Sequence, residues 1–318
     1  MKREQVVIIG SGMMGSGIGA MAALAGNPTT LVDLDLQRAQ TGLARAETCI
    51  ALREENGLAT AQEAARARAL LSASNDMTAA VASARLVIEA IVEKLEAKQA
   101  LFRELDALLP PELPICSNTS GLRITEISAL CAHPERCFTT HFWLPAHLVP
   151  LVEVVLGAQS DPALGQAVVE ELKLWKKAPV LVRRDLPGQL ANRIFQAIIR
   201  ESVAIVASGL ASAEDVDTAI SCGMAMRFPE WGPLMHLDAI GLDLGLSVQD
   251  SVLPSISGEQ TANPYLRGLV ERGETGAKAG KGFYDWSEQD IAEKMKKRDA
   301  FIIEAVKAKA KIDAEDKA

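Results

Sequence analysis

The chain opens with a short apolar segment that runs directly into a glycine-rich turn. Residues 6–9 read Val-Val-Ile-Ile, and residues 10–15 read Gly-Ser-Gly-Met-Met-Gly, which is the pattern G-x-G-x-x-G. This order predicts a buried strand, a tight turn and the start of a helix. The first glycine permits the turn, the second lets a ligand approach the backbone, and the third lets helix and strand pack closely.

A second apolar run ends in Asp33, 18 positions after Gly15. The free N–H groups and the positive dipole end of a helix that begins near Gly12 suit a pyrophosphate. The Asp33 carboxylate can accept hydrogen bonds from an adenosine ribose. A glycine pattern alone is a weak signal. Here the predicted strand, the glycines, the helix and the acidic end of the second strand follow one another at the expected spacing, and together they predict a dinucleotide site. The expected contacts are Gly10, Gly12, Met13, Met14, Gly15 and Asp33.

The charges around Asp33 favour NAD over NADP. Asp35 follows two positions later, and the first arginine after it is Arg38. A 2′-phosphate would meet negative charge there. As a residue at an exposed strand end, Asp33 is expected to matter to NAD more than to the fold.

Length and composition limit the classes of protein. A chain of 318 residues is longer than one hydrophobic core usually supports, so two domains are expected. The net charge of −8 leaves no basic stripe for nucleic acid, and no apolar run reaches membrane-spanning length. The start of the chain is unlike a signal peptide. Five cysteines without a C-x-x-C pair indicate reduced thiols in a cytoplasmic protein, with neither disulfides nor bound metal.

Helical and strand patterns alternate through the first part of the chain. This alternation predicts an α/β fold, a Rossmann-type doubly wound parallel sheet. After the two opening strands, further strands are predicted near 86–90, 114–117, 136–142, 151–155 and 179–183, and helices near 36–71, 95–109, 125–130 and 161–175.

The pattern changes at Leu186-Pro187-Gly188, after which apolar residues recur at helical spacing. We therefore expect an NAD-binding domain over 1–187 and an all-helical domain over 188–318, with a substrate cleft between them. The charged segment from Ser287 to the end is expected to fray. The apolar face between Leu190 and Ile205 predicts a homodimer formed chiefly by residues after Pro187.

Several further motifs occur in a fixed order and together resemble the 3-hydroxyacyl-CoA dehydrogenase family. The resemblance covers about residues 5 to 286, and its ordered motifs are more specific than the glycine turn alone. They are Ser-Asn-Thr-Ser at 117–120, His-Phe-x-x-Pro at 141–145, Leu-Val-Glu-Val-Val at 151–155, Pro-Gly-x-x-x-Asn-Arg at 187–193 and the glycine-rich segment 276–284.

The family resemblance implies a role for each matched residue. It makes His141 the general base, Glu153 its orienting carboxylate, and Ser120 and Asn192 the groups that bind the substrate oxygens. Glu93, Lys98 and Lys278 match positions that contact the nicotinamide half of NAD, as Ser120 does; solvated helix charges are the alternative for the first three.

The chemistry of alcohol oxidation agrees with these roles. A base that titrates near neutrality takes the hydroxyl proton, and a buried carboxylate beside it fixes the imidazole tautomer. His141 and Glu153 end two predicted strands joined by a turn near His147, so a hairpin can bring them face to face. A packing role for His141 is the alternative, while the His-x5-His-x5-Glu spacing fits no common zinc pattern.

Two departures from the family pattern bear on the substrate. Where the CoA enzymes of the family hold the CoA phosphates with a serine and a lysine, this chain has Cys49 and Asn56, and the adjacent Glu54 and Glu55 would repel a 3′-phosphate. A further difference is Leu144, where the family usually has asparagine.

The second departure is the segment 222–233, which carries Arg227. It resembles the branch that acts on small carboxylates, among them gulonate, carnitine and pyridoxate-pathway dehydrogenases. Arg227 can form a bidentate pair with a substrate carboxylate, or else a surface or inter-subunit salt bridge.

These interpretations predict an NAD-dependent oxidoreductase that interconverts a small 3-hydroxy acid, or a related hydroxyl compound, and its oxo form. Two alternatives stay open: an L-3-hydroxyacyl-CoA dehydrogenase that acts on CoA thioesters, and a non-catalytic NAD-binding or structural protein.

Overall fold

The computed structural model describes residues 4–315, which fall into two compact units, and the chain passes from the first to the second between Ala191 and Asn192. The first unit is built on a sheet whose strands are β1 (Gln5–Ile9), β2 (Thr29–Val32), β3 (Leu71–Ser74), β4 (Ala84–Glu89), β5 (Ile115–Ser117), β6 (Cys137–Phe142), β7 (Leu151–Leu156) and β8 (Ala178–Val182). Across this part of the described chain, eight strands lie in the order β3-β2-β1-β4-β5-β6-β7-β8.

Neighbouring strands are parallel except for β6 and β7, which pair antiparallel. The predicted Rossmann-type α/β class is thus confirmed, with one reversal in the sheet. In that reversed pair, His141 lies directly opposite Glu153, as the predicted hairpin requires.

Helices cover both faces of the sheet, so strand residues are buried on both sides. In β1, Val6 and Ile8 belong to one apolar cluster, while Val7 and Ile9 belong to another. The helices of this unit are α1 (Met13–Leu24), α2 (Leu36–Glu55), α3 (Ala61–Leu70), α4 (Met77–Val81), α5 (Leu95–Leu108), α6 (Ile124–Ile127) and α7 (Pro162–Leu174).

The prediction of one helical region from 36 to 71 is wrong in two respects. The region divides after Glu55, where Gly57 takes a φ of +71° and Thr60 starts α3 with a capping box to Glu63. The residues that follow α3 form β3, which pairs parallel with β2. The sequence of β3, Leu-Ser-Ala-Ser, lacks the apolar run by which buried strands are identified, because β3 lies at the edge of the sheet.

The second unit is helical, as predicted. Its helices are α8 (Ala191–Ser208), α9 (Ala213–Thr218), α10 (Pro233–Ile240), α11 (Leu242–Val252), α12 (Pro264–Glu271) and α13 (Ile291–Glu315), with a π-helical turn over Ala219–Met224. In residues 4–315, no helix is both long and apolar enough to cross a membrane.

The expectation that the charged segment after Ser287 frays is wrong for residues 291–315, which form the continuous helix α13. Ion pairs at helical spacing stabilise it, including Lys307 with Glu304 and Lys309 with Asp313, and Ile303 is buried. The last three residues lie outside the described part of the chain.

Candidate active site

The glycine turn joins β1 to α1 at the carboxyl edge of the sheet. Gly10 has a φ of +96°, and a Cβ there would lie 2.5 Å from the carbonyl oxygen of Ala90. A Cβ on Gly15 would lie 1.8 Å from the carbonyl oxygen of Gly10, so both positions require glycine. A Cβ on Gly12 would meet no atom within 4 Å among the described residues, which leaves the start of α1 open to a phosphate group.

Asp33 follows β2 and is tied to the glycine turn. Its Oδ2 accepts hydrogen bonds from the N–H of Ser11 at 2.8 Å and from the hydroxyl of Ser11 at 2.7 Å. Burial alone would raise the pKa of Asp33, but the Ser11 hydrogen bonds hold it below its usual value. Asp33 is half-buried and hydrogen-bonded to the glycine turn, so the expectation that it is an exposed residue at a strand end is wrong.

A cavity of about 620 Å³ lies beside Asp33 and has the chemistry for an adenosine group. Arg38 lines the cavity and is paired with Asp35 at 3.2 Å. The residues at this end of the sheet therefore fit NAD. The full lining is Ser11, Gly12, Asp33, Asp35, Gln37, Arg38, Thr41 and Arg45.

His141 and Glu153 form a buried pair across β6 and β7. His141 Nδ1 lies 2.8 Å from Glu153 Oε2, and Glu153 is fully buried. Since an ionised carboxylate only accepts hydrogen bonds, Nδ1 is the donor to Glu153, and Nε2 is the nitrogen that holds the lone pair in the neutral imidazole. The Nε2 atom lies 3.1 Å from the hydroxyl oxygen of Ser120.

Four donors hold the Glu153 carboxylate. Its Oε1 accepts from the N–H groups of Leu190 and Ala191 at 2.9 and 2.8 Å, and its Oε2 accepts from His141 and from the Trp143 indole. Burial would raise the pKa of Glu153, but these hydrogen bonds, that of His141 first among them, lower it to about 2. The carboxylate is therefore ionised throughout the physiological range and can stabilise a charged imidazole.

Glu93 positions the segment that carries Ser120. One of its oxygens accepts hydrogen bonds from the backbone N–H groups of Ser120 and Gly121, both at 3.1 Å, and from the hydroxyl of Thr119. Burial would raise the pKa of Glu93, and the hydrogen bonds from Thr119 and Gly121 lower it. The structure thus brings two sequence-predicted residues, Glu93 and Ser120, into direct contact.

Lys98 is buried below this segment. Its side chain is 1% exposed and its Nζ lies 2.5 Å from Glu89 Oε1 and 3.4 Å from Glu93 Oε2. Glu89 also accepts hydrogen bonds from the N–H of Ile91 at 2.7 Å and the hydroxyl of Ser117 at 2.6 Å. A direct contact of Lys98 with NAD stays a prediction.

Sequence reasoning missed Glu89, although a signal was present. Glu89 is an acidic residue that ends a buried apolar strand, β4, just as Asp33 follows β2. Reasoning from the sequence also missed the contact between Trp143 and Glu153, because a tryptophan beside a histidine gives no sign of where its N–H donates.

The remaining predicted site residues belong to the second unit. Asn192 lies in the first turn of α8 and is half-buried, while Arg227 and Lys278 are exposed. Lys278 lies in a short 3₁₀ turn that ends at Gly280. Their placement relative to His141 stays a prediction.

The positions that depart from the CoA-binding pattern lie on α2 and at its end. Cys49 packs against the core, and burial raises the pKa of its thiol to about 11. The Asn56 side chain donates to the carbonyl oxygen of Leu52 at 2.8 Å, so it caps its own helix. The expected acidic patch is weaker than predicted, because Glu54 pairs with Arg68 at 2.7 Å.

Comparison with protein-family models matches both units. The model for the 3-hydroxyacyl-CoA dehydrogenase NAD binding domain matches residues 5–186, and the model for the C-terminal domain of that family matches residues 188–286.

Curated relatives and a solved structure cover nearly the whole chain. A probable 3-hydroxybutyryl-CoA dehydrogenase from Bacillus subtilis is 36% identical over 91% of this chain and 99% of its own length. A 5-formyl-3-hydroxy-2-methylpyridine 4-carboxylate 5-dehydrogenase from Mesorhizobium japonicum is 30% identical over 88% of this chain and 90% of its own. The crystal structure of an enzyme with that activity, described as an NAD⁺-dependent dismutase, gives a TM-score of 0.88 at 26% identity and covers 98% of this chain and 99% of that one.

The family-model matches and these relatives agree with the glycine turn and with the Rossmann-type fold of the first unit. The chain belongs to the 3-hydroxyacyl-CoA dehydrogenase family and is an NAD-dependent dehydrogenase that acts on a CH–OH group.

Proposed function

We propose that this dehydrogenase interconverts a small 3-hydroxy acid, or a related hydroxyl compound, and its oxo form, with His141 as the general base. The line of contacts from Ser120 through His141 to Glu153 carries the proposal, with distances of 3.1 and 2.8 Å. It leaves one basic nitrogen, Nε2, directed to the hydroxyl of a residue that the family resemblance assigns to substrate binding.

The protein supplies the proton transfer. NAD, when bound, supplies the acceptor for the substrate hydride. His141 Nε2 takes the hydroxyl proton of the substrate as the hydride leaves, and the ionised Glu153 stabilises the imidazolium that forms. In the reverse direction His141 returns the proton to the oxo group. Ser120 donates a hydrogen bond to the reacting oxygen, and Asn192 is proposed as a second donor on the resemblance alone.

The preference for a free acid over a CoA thioester rests on residues of α2 and on one solved relative. Cys49 and Asn56 stand where CoA enzymes hold phosphates, and neither offers a cation to a phosphate. The relative with a TM-score of 0.88 is named for a pyridine carboxylate substrate. Arg227 is the proposed partner of the substrate carboxylate, through a charge-assisted bidentate pair.

A CoA thioester is the second candidate substrate. The Bacillus subtilis relative, at 36% identity over 99% of its length, is named for 3-hydroxybutyryl-CoA. The pairing of Glu54 with Arg68 also removes part of the repulsion that a 3′-phosphate would meet.

The proposed base is tested by one substitution at His141. His141→Gln is expected to lower turnover by roughly two to four orders of magnitude while NAD still binds, because proton transfer is lost and the cofactor site is intact. Turnover is followed by NADH absorbance and NAD binding by calorimetry. Near-normal turnover of the variant would remove the proposed mechanism.

The substrate test compares acetoacetyl-CoA with free 3-oxo and 3-hydroxy acids at equal concentration. The free acid is expected to give the higher kcat/KM. Arg227→Met is expected to raise KM for the acid about ten- to a hundredfold, with a smaller effect on NAD. A much higher efficiency with the thioester, or unchanged free-acid kinetics in the variant, would favour the CoA candidate.

We further propose that the chain folds as an NAD-binding domain over 1–187 and a helical domain over 188–318, and forms a homodimer through the second. Large apolar side chains of the second unit are exposed, among them Leu210 at 78%, Met226 at 65% and Leu234 at 77%. An apolar groove of about 410 Å³ is lined by residues of α8, α9 and the π-helical turn. Apolar surface of this extent favours a partner, and a second copy is the occupant we propose.

The thiols support a reducing compartment such as the cytoplasm. The five cysteines of the chain are all free, and burial raises the pKa of the Cys116 thiol to about 12. Disulfide-forming compartments would select against such unpaired thiols.

A further inference from the structure

Trp143 contacts the proposed catalytic pair from the loop that follows β6. Its indole N–H donates to Glu153 Oε2 at 3.0 Å, and the same oxygen lies 2.8 Å from His141 Nδ1. The rings of His141 and Trp143 are tilted by 54°, with centroids 5.7 Å apart. Two N–H donors therefore share a single carboxylate oxygen.

We propose that Trp143 is a positioning residue that sets how tightly His141 holds its proton, by sharing Glu153 Oε2 with it. The proposal rests on the proposed function, in which neutral His141 is the base. In this proposal the indole N–H affects the proton affinity of His141, in addition to the packing that the ring provides in the loop.

The Glu153 carboxylate cannot avoid this competition by turning. Its other oxygen, Oε1, is held by the N–H groups of Leu190 and Ala191 at 2.9 and 2.8 Å. With Oε1 fixed, the negative charge available to His141 is that on Oε2, and the Trp143 N–H withdraws part of it. Hydrogen bonds that share an acceptor weaken one another in this way, and a weaker acceptor stabilises the imidazolium less.

The direction of the effect follows from the protonation states. Removing the indole N–H leaves Oε2 a stronger acceptor for His141, so the imidazolium is favoured and persists to higher pH. Because the oxidation needs the neutral imidazole, the acid limb of the pH–rate profile moves to higher pH. We expect a displacement of about 0.5 to 1 pH unit, which corresponds to a roughly three- to tenfold change in proton affinity.

Trp143→Phe is the appropriate variant, because it keeps an aromatic ring beside His141 and removes the N–H. The pH dependence of kcat/KM for oxidation is measured with the best substrate from the screen above. The midpoint of the acid limb is expected to rise while the plateau at high pH stays within a few-fold of the parent value. A uniform loss of rate with an unmoved midpoint would show a merely structural role and overturn the proposal.

Trp175→Phe is the matched control. Trp175 also donates its indole N–H to a glutamate, Glu171 at 2.6 Å, but this pair lies outside the His141–Glu153 pair. Trp175 is 1% exposed whereas Trp143 is half-buried, so the control removes an indole–carboxylate bond together with a larger share of buried packing. We expect this variant to lose stability without any displacement of the midpoint.

A spectroscopic measurement gives a readout that does not depend on turnover. The chain has four tryptophans, and the indole ¹H–¹⁵N signal that Trp143→Phe removes identifies Trp143. A charge-assisted hydrogen bond is expected to place this signal downfield, and Glu153→Gln is expected to move it upfield. A signal at the position of a solvated indole that ignores Glu153→Gln would contradict the inferred contact.

His141→Gln and Trp143→Phe distinguish a wrong function from a wrong role for Trp143. If His141→Gln keeps near-normal turnover, the proposed function fails and the pH profile has another origin. If His141→Gln abolishes turnover but Trp143→Phe leaves the midpoint unmoved, only the role of Trp143 fails.

Discussion

Lys177 is a buried cation that we expect to make stability depend on pH. Its side-chain Nζ donates to the carbonyl oxygens of Ala146 and of Val149, the latter at 2.9 Å, and lies 5.8 Å from the centroid of the Phe142 ring. The residue is 7% exposed. Burial, reinforced by the positive charge of Arg53, lowers the pKa of Lys177 from 10.5 to about 7.

The two pKa values determine the sign and size of the effect. Between about pH 7 and pH 10.5 the unfolded chain binds the proton that folded Lys177 has released, so the free energy of unfolding rises with pH across this window. From pH 7 to pH 8.5 the group contributes a gain of about 1.5 kcal/mol. Below pH 7 both states carry the proton, and the contribution of Lys177 levels off.

Lys177→Met tests this reasoning because it removes the titrating amine and keeps much of the apolar side chain. Urea unfolding is measured from pH 7 to pH 8.5 at fixed protein concentration, and each variant is compared with the parent at the same pH, because the thiols of the unfolded chain also titrate toward the upper end of this range. Lys176→Met is the control, since Lys176 pairs with Glu63 at 3.0 Å and its side chain is 68% exposed. The gain with pH is expected to persist in the control and to disappear in Lys177→Met. Parallel stability curves for the parent and Lys177→Met would refute the assignment.

Three further predictions concern the cofactor site, the buried ion pair and the subunit interface. Asp33→Ala is expected to weaken NAD binding at least about tenfold and also to lower Tm, because two hydrogen bonds from Ser11 are lost. Calorimetry measures the NAD affinity and thermal unfolding measures Tm. Comparable kcat/KM of the parent with NAD and with NADP would contradict the proposed ribose contact. Glu89→Gln removes the nearer of the two carboxylates that pair with buried Lys98 and is expected to cost about 3–5 kcal/mol in urea unfolding, whereas the exposed Glu96→Gln is expected to cost little. Sedimentation at micromolar concentration is expected to show a dimer. A monomer would refute the proposal that the exposed apolar surface of the second unit is a subunit interface.

The fold could be predicted largely because its signals are local. Strand β1, the glycine turn and α1 follow from neighbouring residues, and the apolar runs of β4 and β7 are buried on both faces. Strand β3 escaped prediction since an edge strand needs few apolar residues. The break before Thr60 was missed because the alanine- and arginine-rich segments on either side both favour helix.

The site could be predicted only in part, for a different physical reason. The resemblance identified His141, Glu153 and Ser120, and the structure places them in one line of contacts. The supporting contacts join residues distant in sequence, such as Lys177 with Ala146, and no periodicity or spacing reveals which carbonyl a buried cation will bind. A cluster of charges in the sequence likewise does not reveal which of them form ion pairs, as the pairing of Glu54 with Arg68 shows.

The antiparallel pairing of β6 and β7 bears on how new specificities can arise in this fold. The His141–Glu153 contact closes only 12 residues of chain, so its loop-closure entropy is small and the pair can form within a hairpin, on the timescale of microseconds. The loop between these strands can therefore vary while the strands keep the pair in register. Trp143 and Leu144 lie in that loop, and the Trp143 ring lies beside that of His141. We expect that enzymes built on this hairpin exchange substrates by exchanging loop residues and inherit the acid–base pair unchanged.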